Sequence, residues 1–119
     1  MNVKLTELAG VLLITPPVTF EDFRGTNTEN WNKKMYEEYG IQNDWVLDSI
    51  STSRKHVLRG IHGDGYTTKL ISCLHGDIYF VVINNDSESN QYKQWQSFHL
   101  SGANRQQVLV PPKFGNAHL

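Results

Sequence analysis

From Trp45 to Leu119 the chain keeps one cadence: short apolar or alternating runs, broken by turn residues at intervals of about 8–12 positions. The runs are Trp45–Ile50, His56–Ile61, Lys69–Leu74, Gly76–Ile83, Tyr92–Leu100, Gln107–Val110 and Phe114–Leu119. Ser51–Lys55, Asn84–Asn90, Ser101–Arg105 and Pro111-Pro112 separate them. Tyr92–Leu100 alternates aromatic and polar residues, with Tyr92, Gln94, Gln96, Phe98 and Leu100 on one side and Lys93, Trp95, Ser97 and His99 on the other, as a strand would. A chain with this cadence folds as an antiparallel β-sandwich or barrel. Its 119 residues make one domain. A chain of that length buries roughly two-thirds of its unfolded surface, enough for one core.

The first 44 residues depart from the cadence. Leu5–Leu8 and Val11–Ile14 read as two edge-type strands, the second ended by Pro16-Pro17, with extended chain resuming over Val18–Phe20. Glu21–Gly25 reads as a charged turn and the next residues, to Glu29, as a polar segment. Asn30–Tyr39 reads as the one short helix, docked through Trp31, Met35 and Tyr39 and stopped by Gly40. Its Lys33-Lys34 and Glu37-Glu38 pairs are a solvated face. A net charge of −1 and the lack of a basic run argue against nucleic-acid or membrane partners. No apolar stretch nears the ~18 residues of a membrane span, and no export signal is visible. A single cysteine, Cys73, forms no internal disulfide and reads as a packed thiol in a cytoplasmic protein.

Chemistry concentrates in Leu58–Gly76. Arg59, His62 and Lys69 lie close together among Gly60, Gly63, Gly65 and Gly76, and Lys69 heads the apolar strand of Leu70 and Ile71. A guanidinium, an imidazole and an ammonium between glycine turns suit a site that binds an anion and moves a proton. The spacing resembles the frame of metal-binding cupins, in which His-x-His is followed by a Glu and then a Gly. Here the same frame holds His62, Asp64, Lys69 and Gly76. An ammonium offers no lone pair, so Lys69 takes the carboxylate's place without taking its metal, and no metal is expected.

Several motifs together resemble the dTDP-4-dehydrorhamnose 3,5-epimerases. They are Phe20-x-Asp22-x-Arg24-Gly25-x-x-x-Glu29, Ser51-x-Ser53, Val57-Leu58-Arg59-Gly60-Ile61-His62, Lys69-Leu70, Gly76 and Val110-Pro111. The wording from Arg59 to Asp64, and Pro111-Pro112-x-x-Gly115-Asn116-x-His118, is most similar to the bacterial capsule branch acting on GDP-4-keto-6-deoxy-heptoses. The resemblance covers nearly all of this chain but about the first two-thirds of a typical member. It implies an all-β, cupin-type jelly roll (an antiparallel β-sandwich) with one short helix, a single domain over residues 1–119 that ends short of the family's C-terminal third, and a homodimer with exchanged N-terminal strands. It further implies a cofactor-free epimerase acting at C3 and/or C5 of a nucleotide-linked 4-keto-6-deoxy sugar. His62 matches the base and Lys69 the group near the C4 oxygen. Arg59 matches a phosphate contact, and Arg24 and Glu29 match residues at the nucleotide end. Asn116 stands where the family has a histidine, and His118 lies two residues on, on the same strand face. Asn84 replaces a family carboxylate near the lysine. The tyrosine that returns the proton and the aspartate that pairs with the base belong beyond residue 119.

The residues leave other readings open. Arg59 also suits a salt bridge to a loop carboxylate, and His118 is evenly balanced between a substrate contact and a structural role. His56, His75 and His99 read as structural or solvent-facing. At the level of function the alternatives are a non-catalytic nucleotide-sugar-binding domain or remnant, a C3-only epimerase, and a keto-isomerase of related fold. A jelly roll that stops at Leu119, in an opening strand, is expected to leave an unpaired edge.

Overall fold

A computed structural model describes residues 1–16 and 19–119. Among the described residues there are ten strands and one helix: β1 (Asn2–Leu5), β2 (Leu12–Thr15), β3 (Thr19–Asp22), β4 (Gly25–Thr28), α1 (Lys33–Glu37), β5 (Arg59–His62), β6 (Lys69–Ser72), β7 (Asp77–Asn84), β8 (Trp95–Ser101), β9 (Gln107–Val110) and β10 (Phe114–His118). Two four-stranded antiparallel sheets, ordered β1-β2-β9-β6 and β5-β10-β7-β8, form a sandwich, and β3-β4 is a separate hairpin. The all-β sandwich with one short helix is as expected. Among the described residues no helix is long and apolar enough to cross a membrane.

Alternation along the strands decides which side chains enter the core. Phe80 and Val82 of β7, Phe98 and Leu100 of β8, and Phe114 of β10 turn inward to meet Val108 and Val110 of β9. Leu109, between those two valines, points the other way and packs with Ile14, Ile41 and Tyr36 of α1. Sheet one is therefore covered on both faces, which is why β9 is a continuous run of buried residues. Gln107 is buried there because it is fully bonded. It accepts from the Tyr36 hydroxyl at 2.6 Å and donates to Asn30.

Several expectations need correction. The first strand lies earlier than Leu5–Leu8, because Leu8 enters the core from a turn rather than from a strand. β2 is no edge, since it pairs with both β1 and β9. The Pro17 and Val18 part of the reading lies outside the described residues. The charged turn is narrower than Glu21–Gly25: Phe23 and Arg24 alone separate β3 from β4. The helix is five residues long, N-capped by Asn32, and it docks through Tyr36 rather than Tyr39, which is 46% exposed. Trp45–Ile50 is not a strand. Trp45 packs on Trp31, but Val46 and Leu47 are exposed and, among the described residues, the segment has no ladder partner. Nor is the last strand an edge, because β10 lies between β5 and β7.

Candidate functional site

Cross-strand register sets the site. Asn116 of β10 pairs with Val82, and His118 with Phe80, so both share the inward face of sheet two with two buried core residues. Across the other edge of β10, His62 pairs with Asn116. Regular pairing would place Gly60 opposite His118. Instead the register slips by one residue and Arg59 stands there. This bulge turns both Arg59 and His62 toward the same face, which strict alternation forbids for residues three apart. Gly60 makes the bulge possible. It sits at φ +130°, and a Cβ there would lie 2.5 Å from the Ala117 Cβ and 2.7 Å from its Cα.

Lys69 reaches the same place from the opposite sheet. It pairs with Val110 at the start of β6, so its side chain enters the sandwich, and its Nζ donates to Asn116 Oδ1 at 3.0 Å. Among the described residues no carboxylate forms an ion pair with it. The ammonium is half-buried beside a neutral amide and keeps donors free for an incoming oxygen. Arg59, His62, Asn116 and His118 line an opening of about 420 Å³ together with Leu58 and Gly60. Burial and then the Arg59 charge hold the His118 imidazole below its ordinary pKa, favouring its neutral form.

Among the described residues Arg59 forms no carboxylate bridge. Its Nε donates to Ser53 Oγ at 2.8 Å and its Nη2 to the Thr52 carbonyl at 3.0 Å. The Ser51–Ser53 segment thus fixes the guanidinium, a role the sequence reading did not assign, although Ser51-x-Ser53 was visible as a motif. Asp64 is consumed locally. Its carboxylate accepts from Tyr66 N, Thr67 N and Thr67 Oγ, and these bonds hold it below the usual carboxylate range. Asn84 is likewise committed, its amide bonded to Ser89 Oγ and to Asp86 N at the mouth of the β7–β8 loop.

Arg24 and Glu29 are not part of this cluster. Arg24 sits in the turn of the exposed β3–β4 hairpin with its guanidinium on Asp22 at 2.6 Å. Glu29 accepts from Asn32 Nδ2. The remaining histidines follow expectation: His56 and His75 are exposed, and His99 pairs with Asp77 at 2.7 Å on the surface. Cys73 is buried with its thiol near the His75 carbonyl. A second opening of about 410 Å³, between the hairpin and residues 102–105, contains threonines, Asn104 and Arg105 but no imidazole.

A jelly-roll sandwich whose mouth carries two imidazoles, an ammonium and a guanidinium is a cupin-type scaffold. Comparison with known proteins agrees. The family model for dTDP-4-dehydrorhamnose 3,5-epimerase matches residues 5–119, and the chain belongs to that family. The dTDP-4-dehydrorhamnose 3,5-epimerase of Escherichia coli is 36% identical over 123 aligned positions, which take in 100% of this chain and 66% of that enzyme. The chain thus spans just under two-thirds of the length of such relatives. The crystal structure of the Bacillus anthracis enzyme, with TDP and PPi bound, superposes with a TM-score of 0.91 at 34% identity, over 98% of this chain and 69% of that one. The Legionella pneumophila dTDP-6-deoxy-D-glucose-3,5-epimerase, in complex with dTDP-4-keto-L-rhamnose, gives 0.91 at 33% identity, over 98% and 63%.

Proposed function

We propose that the chain is an epimerase that inverts C3 and/or C5 of a nucleotide-linked 4-keto-6-deoxy sugar. The observation that carries this reading is the convergence of His62, Arg59, Asn116 and His118 on one opening, with Lys69 crossing from the other sheet. A hydrogen beside a ketone is weakly acidic, and a base titrating near neutrality removes it. His62 is that base. The electrons left behind move onto the C4 oxygen, where the Lys69 ammonium stabilises the developing charge in a partly dry setting. Asn116 holds the ammonium in place. Arg59, steadied by Ser53 and Thr52, offers its remaining N–H groups to a phosphate. No step requires a cofactor.

Among nucleotide sugars we infer two classes of substrate: dTDP-4-keto-6-deoxy-hexose, from the relatives, and GDP-4-keto-6-deoxy-heptose, from Arg59–Asp64 and Pro111–His118. Either places the chain in surface-polysaccharide sugar synthesis, in the cytoplasm. We further infer a homodimer. The β3–β4 hairpin is exposed along its length, with Phe23 at 98% exposure, and Arg24 lies outside its own chain's opening. In a dimer with exchanged N-terminal strands, Arg24 and Glu29 serve the nucleotide end of the second copy's site.

His62→Asn tests the assignment. It keeps the size and polarity of an exposed strand residue, so nucleotide binding persists while turnover falls by about 100-fold or more. Unchanged turnover contradicts the reading.

A further inference from the structure

We propose that the Asn116 side-chain amide is a second donor to the C4 oxygen of the sugar, forming with Lys69 a two-donor pocket for the charge that develops there. This rests on the epimerase reading above and deepens it. An ammonium donates and cannot accept, so the bond from Lys69 Nζ at 3.0 Å fixes which end of the amide faces the lysine. Oδ1 takes that bond, and Nδ2 is turned away with both its hydrogens. Among the described residues Nδ2 has no protein partner, and the buried polar atom left unpaired there is Trp45 Nε1. Nδ2 is therefore accessible, on a half-buried residue that lines the opening.

Geometry puts the two donors within reach of one acceptor. Nδ2 lies at most about 2.6 Å from Oδ1, the length of the two bonds through their shared carbon. It is thus within about 5.6 Å of Nζ, and one oxygen between them accepts from both at about 2.8 Å. Asn116 also stands directly opposite His62 in the ladder. Such partners have Cβ atoms about 4.5–5.5 Å apart. In the sugar, the acidic carbon and the ketone oxygen are separated by one carbon, so the base and the oxygen's donor need to be neighbours of this kind. As the C–H bond breaks, its proton goes to a ring nitrogen of His62, its electron pair forms the C=C bond, and the carbonyl pair moves onto O4. Accepting from a cation polarises the Asn116 amide and strengthens its N–H groups as donors to that oxygen.

The experiment reads the bound ketone itself. dTDP-4-keto-6-deoxy-glucose and GDP-4-keto-6-deoxy-heptose, each labelled with carbon-13 at C4, are bound to His62→Asn, which leaves the ketone unreacted. The C4 resonance is compared after adding Lys69→Met, Asn116→Ala or both. Donors that polarise a carbonyl move its carbon downfield. Each single substitution is expected to remove part of that shift, and Asn116→Ala to remove a further part when Lys69 is already replaced. A shift that responds to Asn116→Ala only while Lys69 is present overturns the inference, since Asn116 then acts through the lysine alone. No response in either background also overturns it. With His62 intact, Asn116→Ala lowers solvent exchange at C3 and C5 by about 100-fold or more while dTDP affinity stays within about threefold. Exchange within threefold of wild type overturns the inference and leaves the epimerase reading standing. A wild type that binds both sugars and exchanges neither carbon overturns the epimerase reading instead. Thermal unfolding verifies the fold, and Asn116→Ser replaces the alanine variant if that one does not fold.

Discussion

His118 shows how one side chain's surroundings set its charge. An unfolded His118 takes up a proton as pH falls through its ordinary value of 6.5, whereas the folded one does so only at lower pH. Across that window the unfolded chain binds more protons, so His118's contribution to stability is complete above about pH 6.5 and is lost as pH falls through the folded value. The unfolding midpoint therefore drops more steeply on acidification below pH ~6.5 in wild type than in His118→Gln. Parallel pH profiles contradict this. At this scale the sequence was legible where chemistry is rare. Arg59, His62 and Lys69 stood out because charged and imidazole groups seldom line an apolar strand. The Ser53–Arg59 and Lys69–Asn116 bonds were not legible, because they join residues that only register and loop path bring together.

Among the elements, β5 matters most for the site. Its four residues are exposed, yet its bulge aims both Arg59 and His62 inward. Gly60→Ala places a Cβ against Ala117 at a positive φ that costs about 1–3 kcal/mol by itself. The expected result is a loss of at least ~2 kcal/mol in denaturant unfolding, together with weakened dTDP binding as Arg59 is displaced. Wild-type stability and affinity in this variant refute the bulge's role. β6 and β9 were read with their true starts, because Lys69 and Gln107 mark the change from polar to apolar chain and Pro111-Pro112 stops the second. Trp45–Ile50 misled because apolar content alone does not supply a ladder partner. In α1 the docking residue was misjudged because a five-residue helix presents little more than one turn, leaving the Asn32 cap to decide which side chain faces the sheet.

For the whole molecule, the sandwich leaves large apolar side chains outside its core. Phe20, Phe23, Val46, Leu47, Ile50 and Leu58 are all more than 60% exposed. Surface of this kind fits association, and light scattering is expected to give a mass twice that of the chain, reduced to one by Phe23→Asp. A monomeric wild type contradicts the inferred dimer. Fold class was legible because the 8–12-residue cadence survives every local misreading. The order of strands was not, since β10 inserts between β5 and β7. Proton removal next to a ketone is the step on which the proposed reaction depends, and solvent exchange reports it without an intermediary. The wild-type chain is incubated in heavy water with dTDP-4-keto-6-deoxy-glucose or GDP-4-keto-6-deoxy-heptose, and C3 and C5 are followed by NMR. Deuterium is expected at one or both carbons with wild type and at neither with His62→Asn. Binding of the nucleotide sugar with no exchange at either carbon would contradict the proposed reaction.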